Sequence, residues 1–122
     1  MKIEKFEDLD CWKKARELAN LIYDLTNQTS FVKDSQLRGQ MRDAAGSVMH
    51  NIAEGFDSGS DAEFVRFLKI SRRSSSEVQS ELYLAIDRKY ITTNQVQTAY
   101  NKATEVKRLI NGLIAYLHRN KK

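Results

Sequence analysis

Proline is absent from the whole 122-residue chain. No pyrrolidine ring therefore interrupts a helical hydrogen-bond ladder anywhere, and long unbroken helices are permitted throughout. Glycine is scarce, at five residues, and none falls in a Walker-type or Rossmann spacing, which excludes the common glycine-rich phosphate cradles. The lone Cys11 cannot form an internal disulfide. With His50 and His118 it makes up the whole stock of obvious metal or nucleophile residues. No Cys-x-x-Cys, His-x-x-x-His or Glu-x-x-His spacing occurs, so no metal site, no cofactor and no catalytic constellation is expected. His50 falls on the outer side of its helix and His118 near the end of the last one. Cys11, beside Trp12, reads as a small hydrophobe. No apolar run approaches the length needed to span a bilayer. The opening Met-Lys-Ile-Glu-Lys-Phe-Glu-Asp is charged and lacks the apolar stretch of a secretory signal, so a cytoplasmic, non-membrane protein is expected.

What is present is helical patterning. A single domain over 1–122 is expected at this length. Leu9, Trp12, Ala15, Leu18, Ala19, Ile22 and Leu25 recur at spacings of three and four and predict a first helix from about Asp10 to Gln28, with Asp8 or Asp10 as cap. Phe31 and Val32 follow, tucked against the bundle. A second helix from Asp34 or Ser35 turns Leu37, Met41, Ala44, Ala45, Val48 and Ile52 inward. Gly55 is expected just past its end, in a left-handed conformation. Ser60 with Glu63 predicts a capping box for a third helix over about Asp61–Lys89. That helix buries Phe64, Phe67, Leu68, Ser71, Ser75, Val78, Leu82, Ala85 and Ile86. Thr92 with Gln95 predicts another box, opening a fourth helix to about His118 with Val96, Ala99, Ala103, Val106, Ile110, Leu113 and Leu117 inward. Short connections favour antiparallel neighbours, giving an all-α, up-down-up-down four-helix bundle.

Several apolar residues fall off these stripes. Ile70 and Leu84 lie opposite the inner face of the third helix, Val65 and Tyr83 on its flank, and Leu109 and Tyr116 off the main stripe of the fourth. A second apolar flank on two helices predicts a homo-oligomer.

Charge is unevenly distributed. Residues 1–89 carry 14 basic and 15 acidic side chains, whereas 90–122 carry six basic and one acidic. The excess sits at Lys102, Lys107, Arg108, Arg119, Lys121 and Lys122. In one chain it complements the dipole of the helix C-terminus; multiplied by assembly, it becomes an electrostatic footprint for nucleic acid. Arg66, Lys69 and Arg73 form a stripe opposite the apolar face of the third helix, with Arg72 beside it. They could track phosphates, but Glu63, Glu77 and Glu81 are interleaved, and an i,i+4 pair between Arg73 and Glu77 is expected to neutralise part of the face. Arg38 and Arg42 form a smaller pair. No aromatic platform accompanies either cluster. Asn51 lies at the border of the inner face and is expected to bond across a helix–helix or helix–loop contact. Glu54, one turn on, is expected to meet a loop amide or an arginine.

The segment Gln40–Gly55, above all Asn51-Ile52-Ala53-Glu54-Gly55, resembles the four-helix bundle family associated with intervening sequences of 23S ribosomal RNA genes. Phe6, Leu9, Trp12, Ala15, Ile22-Tyr23 and Thr26 extend the likeness through the first helix. Phe64, Phe67-Leu68, Ser74, Glu77 and Leu82 carry it through the third. Val32, Met49 and Arg73 depart from residues common in that family. The resemblance implies an antiparallel bundle assembled as a ring, most simply a homopentamer. It also implies similarity to accessory bundle proteins of diversity-generating retroelements, which bind nucleic acid and a reverse transcriptase. The expectation is a non-enzymatic oligomeric bundle that binds rRNA or another structured nucleic acid through a basic surface. Arg66, Lys69, Arg73, Lys102, Lys107, Arg108 and Arg119 are the candidate contacts, and the alternative is a scaffold that binds only protein.

Overall fold

The computed structural model describes residues 2–120; Lys121 and Lys122 of the basic tail lie outside them. After a 3₁₀ turn at Phe6–Asp8, the helices are α1 (Asp10–Thr26), the single-turn α2 (Thr29–Val32), α3 (Ser35–Asp57), α4 (Asp61–Asp87) and α5 (Thr93–Arg119). The described residues contain no strand. The long helices contact in a closed cycle: α1 packs on α3, α3 on α4, α4 on α5, and α5 back on α1. Cross-contacts run in opposite directions along neighbouring helices. Val48 meets Ser71 while Gly55 meets Phe64 and Phe67, and Gln79 meets Thr104 while Arg72 meets Asn111. These neighbours are therefore antiparallel, and the molecule is a four-helix bundle. No helix among the described residues is long and apolar enough to cross a membrane.

The inward stripes fill one core. Leu18, Ile22, Met41, Val48, Ile52, Leu68, Val78, Leu82, Val106 and Ile110 are fully enclosed. Trp12, Phe67, Ile86 and Val96 are only half-buried. In α5 the buried position is Ile114, with Leu113 half-buried, because the stripe continues four residues from Ile110 and then three to Leu117. Of the residues off the stripes, Val65 is buried, Ile70, Leu109 and Tyr116 are half-buried, and Tyr83 and Leu84 stay exposed, at 58% and 51%.

Helix ends differ from expectation in instructive ways. At the start of α1 the N-cap is Leu9, with no side-chain cap. Ser60 Oγ accepts from the Glu63 amide at 3.2 Å, but the reciprocal half of the box does not form, because the Glu63 carboxylate holds Arg66 at 2.9 Å. The Thr92–Gln95 box is complete. Helix α4 stops at Asp87 rather than Lys89. Lys89 takes the left-handed conformation (φ 62°), with Lys89 N–H donating to Ile86 O at 2.9 Å and Tyr90 N–H to Ala85 O at 3.0 Å, the paired bonds of a Schellman stop.

Gly55 is not a helix stop. It lies buried inside α3, and the left-handed glycine is Gly59 (φ 90°). A Cβ at Gly55 would sit 2.7 Å from Phe67 Cβ and 3.0 Å from Phe64 Cδ1. Close approach of α3 to α4 requires the glycine there, not backbone conformation.

Candidate nucleic-acid interface

The signature around Asn51 builds the α3/α4 seam. Ile52 is enclosed in the core and Ala53 is half-buried. Asn51 Nδ2 does not reach another helix. It donates to Ser47 O and Ser47 Oγ at 2.8 and 2.9 Å, and the crossing is made by Ser47 Oγ to Ser74 Oγ at 2.9 Å and by Ser71 Oγ donating to Val48 O at 2.6 Å. Glu54 is exposed, with no hydrogen-bond partner among the described residues. The expected loop or arginine contact does not form, because its side chain points to solvent. Arg38 and Arg42 turn out to close the end of α1. Arg38 donates to Thr26 O at 3.1 Å, and Arg42 donates to Thr26 Oγ1 at 2.9 Å with its guanidinium 4.5 Å from the Tyr23 ring.

The seven candidate cations divide by partner. Arg66 pairs with Glu63 and stacks 4.5 Å over Phe67, and the carboxylate raises its pKa above the usual arginine value. Lys102 ties α5 to α1. It meets Glu17 at 2.9 Å and Glu105 at 3.2 Å, and these bonds, the one to Glu17 foremost, raise its pKa. Both charges are compensated within the chain. Lys69, Arg108 and Arg119 are exposed.

Arg73 and Lys107 come together. With Arg72, Ser76 and Asn111 they line a groove of about 360 Å³ between α4 and α5. Arg72 Nη1 donates to Asn111 Oδ1 at 2.8 Å. Lys107 Nζ donates to Ser76 Oγ at 3.1 Å and Gln79 Oε1 at 2.8 Å. Among the described residues, no carboxylate lies within 4.0 Å of Arg72, Arg73 or Lys107. The anticipated Arg73–Glu77 pair does not form, leaving this side of α4 more positive than its sequence implies. Four other concavities each contain an aspartate or glutamate. The largest, about 700 Å³ along α1, mixes Lys13 and Arg16 with Glu7, Glu17 and Asp24, a lining in which opposite charges offset one another.

Arg72 was visible in the sequence only as a neighbour of the stripe, and Gln79 and Asn111 were not visible as site residues at all. Their one signal was a polar residue on the flank beside the apolar stripe. Elsewhere, Cys11 is buried and its thiol is pushed up to about 12, chiefly by desolvation, so it stays protonated at neutral pH. No group of three metal-ligating side chains gathers among the described residues.

The family model for the 23S rRNA-intervening sequence protein matches residues 7–112. Among curated proteins none matches. A crystal structure of a protein of unknown function of the S23 ribosomal protein family, from Bacteroides thetaiotaomicron, superposes with a TM-score of 0.78 at 27% identity, covering 85% of this chain and 97% of that one. With the matched segment running from the turn before α1 nearly to the end of α5, and with the bundle shared at that level, the chain belongs to the 23S rRNA-intervening sequence protein family.

Proposed function

We propose that the protein is a non-enzymatic, cytoplasmic, homo-oligomeric bundle that binds structured RNA or DNA through its α4/α5 face. The observation that carries this reading is the groove where Arg72, Arg73 and Lys107 converge without a carboxylate in the lining. Cations held by neutral partners keep their full charge for a phosphate. Five copies in a ring would carry about +20 by formal count, ample for salt-dependent binding. Exposed Tyr83 and Leu84 on α4 favour self-assembly. They also support the second reading, a protein-binding scaffold, for which a reverse transcriptase is the partner implied by resemblance to retroelement accessory bundles.

A filter-binding assay with rRNA fragments at two salt concentrations separates the readings. Retention at low salt that falls steeply at high salt supports phosphate contacts. No retention at low salt, or affinity indifferent to salt, leaves only the scaffold. The double substitution Lys107→Glu with Arg108→Glu is expected to weaken retention by at least about tenfold while helicity is unchanged, since it reverses one charge in the groove and one exposed charge beside it on α5.

A further inference from the structure

We infer that the α4/α5 groove is a discrete, preorganised seat for one phosphate group, contacted by Arg72 and Lys107, with Gln79 as the positioning residue that aims Lys107. The identification of that phosphate as part of a nucleic-acid backbone rests on the reading above; the oxyanion chemistry does not.

Donor arithmetic carries the inference. A lysine ammonium has three N–H donors, and Ser76 Oγ and Gln79 Oε1 engage two of them. A guanidinium has five, and Asn111 Oδ1 engages one belonging to Arg72. Arg73 adds a cation with no carboxylate within 4.0 Å among the described residues. The Asn111 amide and the Ser76 hydroxyl also have hydrogens left to give. The groove therefore presents a surplus of donors, which suits a group that only accepts. A phosphodiester oxygen meets that condition.

Gln79 makes the arrangement specific. It is 6% exposed, enclosed where α4 meets α5. Its Nε2 donates to Tyr100 O at 3.2 Å and to Thr104 Oγ1 at 2.9 Å. With the amide nitrogen held from two sides, the carbonyl oxygen is directed at Lys107 Nζ. A free lysine would sample many rotamers. This one is anchored at its tip by a neutral acceptor, which orients the charge without cancelling it. Lys102, five residues earlier on the same helix, is anchored by two carboxylates instead.

The test uses the isotope-labelled full-length chain, titrated first with inorganic phosphate and then with an rRNA hairpin oligonucleotide, and followed by the Asn111 side-chain amide and the Arg72 Nε–H resonances. Saturable shifts at those two groups with phosphate, and shifts at the same groups with the oligonucleotide, are expected. Arg72→Gln and Lys107→Gln should each weaken phosphate binding by roughly tenfold, and Lys107→Gln should lower the slope of log affinity for the oligonucleotide against log salt by about one. Gln79→Met retains the lysine charge but not its anchor, so phosphate binding should weaken while that slope stays unchanged, an effect a merely structural role would not produce. If Gln79→Met fails to fold, Gln79→Glu, which sets a carboxylate against Lys107, should abolish saturable phosphate binding. Saturation by phosphate without oligonucleotide binding supports the seat and removes the nucleic-acid reading. Oligonucleotide binding that ignores Arg72, Asn111 and Lys107 overturns the seat and leaves that reading standing. Phosphate shifts that never saturate also overturn it.

Discussion

Helix α4 has two seams of opposite character. Toward α3 it presents the buried serines Ser71, Ser74 and Ser75, and one or more turns earlier Phe64 and Phe67 against Gly55. The serine hydroxyls bond serine or backbone oxygens at short range. Toward α5 it presents Arg72, Ser76 and Gln79, whose polar ends meet Lys107 and Asn111 in an open groove. The first seam satisfies its serine hydroxyls internally. The second satisfies only some of its donors and keeps its charge. The segment that most clearly marks the family thus sits on the α3/α4 seam, while the proposed phosphate seat lies about a quarter-turn away on α4.

The largest expected effect falls on the α3 seam. In an ordinary helix interior Gly→Ala gains about 1 kcal/mol. At Gly55 the added methyl meets Phe67 Cβ at 2.7 Å, and the same change should instead cost about 2–3 kcal/mol through overpacking. Urea denaturation of Gly55→Ala measures this, and a stabilised variant would show that the two helices are not in such close contact. Phosphate affinity of the folded fraction should not change, which keeps the two seams separate.

A smaller effect concerns Glu81. It is 8% exposed on α4, its Oε1 has no partner among the described residues, and burial, then Glu77, then Asp43 of α3 push its pKa up to about 7 from 4.5. Raising a carboxylate pKa on folding penalises the charged form. No stability is lost below the unfolded value of 4.5, and the loss accumulates as pH rises to about 7. Glu81→Gln should therefore stabilise the protein by about 1–2 kcal/mol at pH 8, allowing for solvent screening, and by nearly nothing at pH 4. Thermal melts at both pH values provide the check; equal gains at both would remove the titration as the cause.

The smallest effect is expected at Lys102, which shares α5 with Lys107 but faces α1. Lys102→Gln removes a partly exposed ion pair and should cost about 0.5 kcal/mol, with phosphate binding within about twofold of the parent, as a variant with the seat intact should show. A loss comparable to that of Lys107→Gln would mean the positive face acts as one diffuse field rather than as a groove.

Much of the bundle was legible before folding. The three–four spacing of apolar residues located every long helix, and the Thr92–Gln95 box marked the start of α5 within a residue. Such signals are local, since a helix and its cap are decided within a turn or two. Gly55 was misplaced because a glycine near a helix end has two possible reasons to be there, conformation or proximity, and only the position of Phe67 distinguishes them. The Glu63 carboxylate was assigned to a backbone amide when Arg66 competes for it from the next turn. The candidate cations could not be sorted for the same kind of reason. Lys102 and Lys107 look alike in sequence, and what separates them is that one faces Glu17 and the other faces Gln79 across a helix interface.

By itself, the sequence determined that this chain makes long amphipathic helices, that they stop where they do to within a few residues, and which family it belongs to. The helices and their ends follow from periodicity, caps and the absence of proline, all short-range physics; the family follows from the residues around Asn51–Gly55 and from the match over residues 7–112. Arg66 finds Glu63 within its own helix, but tertiary structure decided that Lys102 meets Glu17 and that Lys107 keeps its charge open. Neutralising a cation takes a carboxylate within a few ångströms, and residues brought that close across a bundle are separated by dozens of positions in the chain.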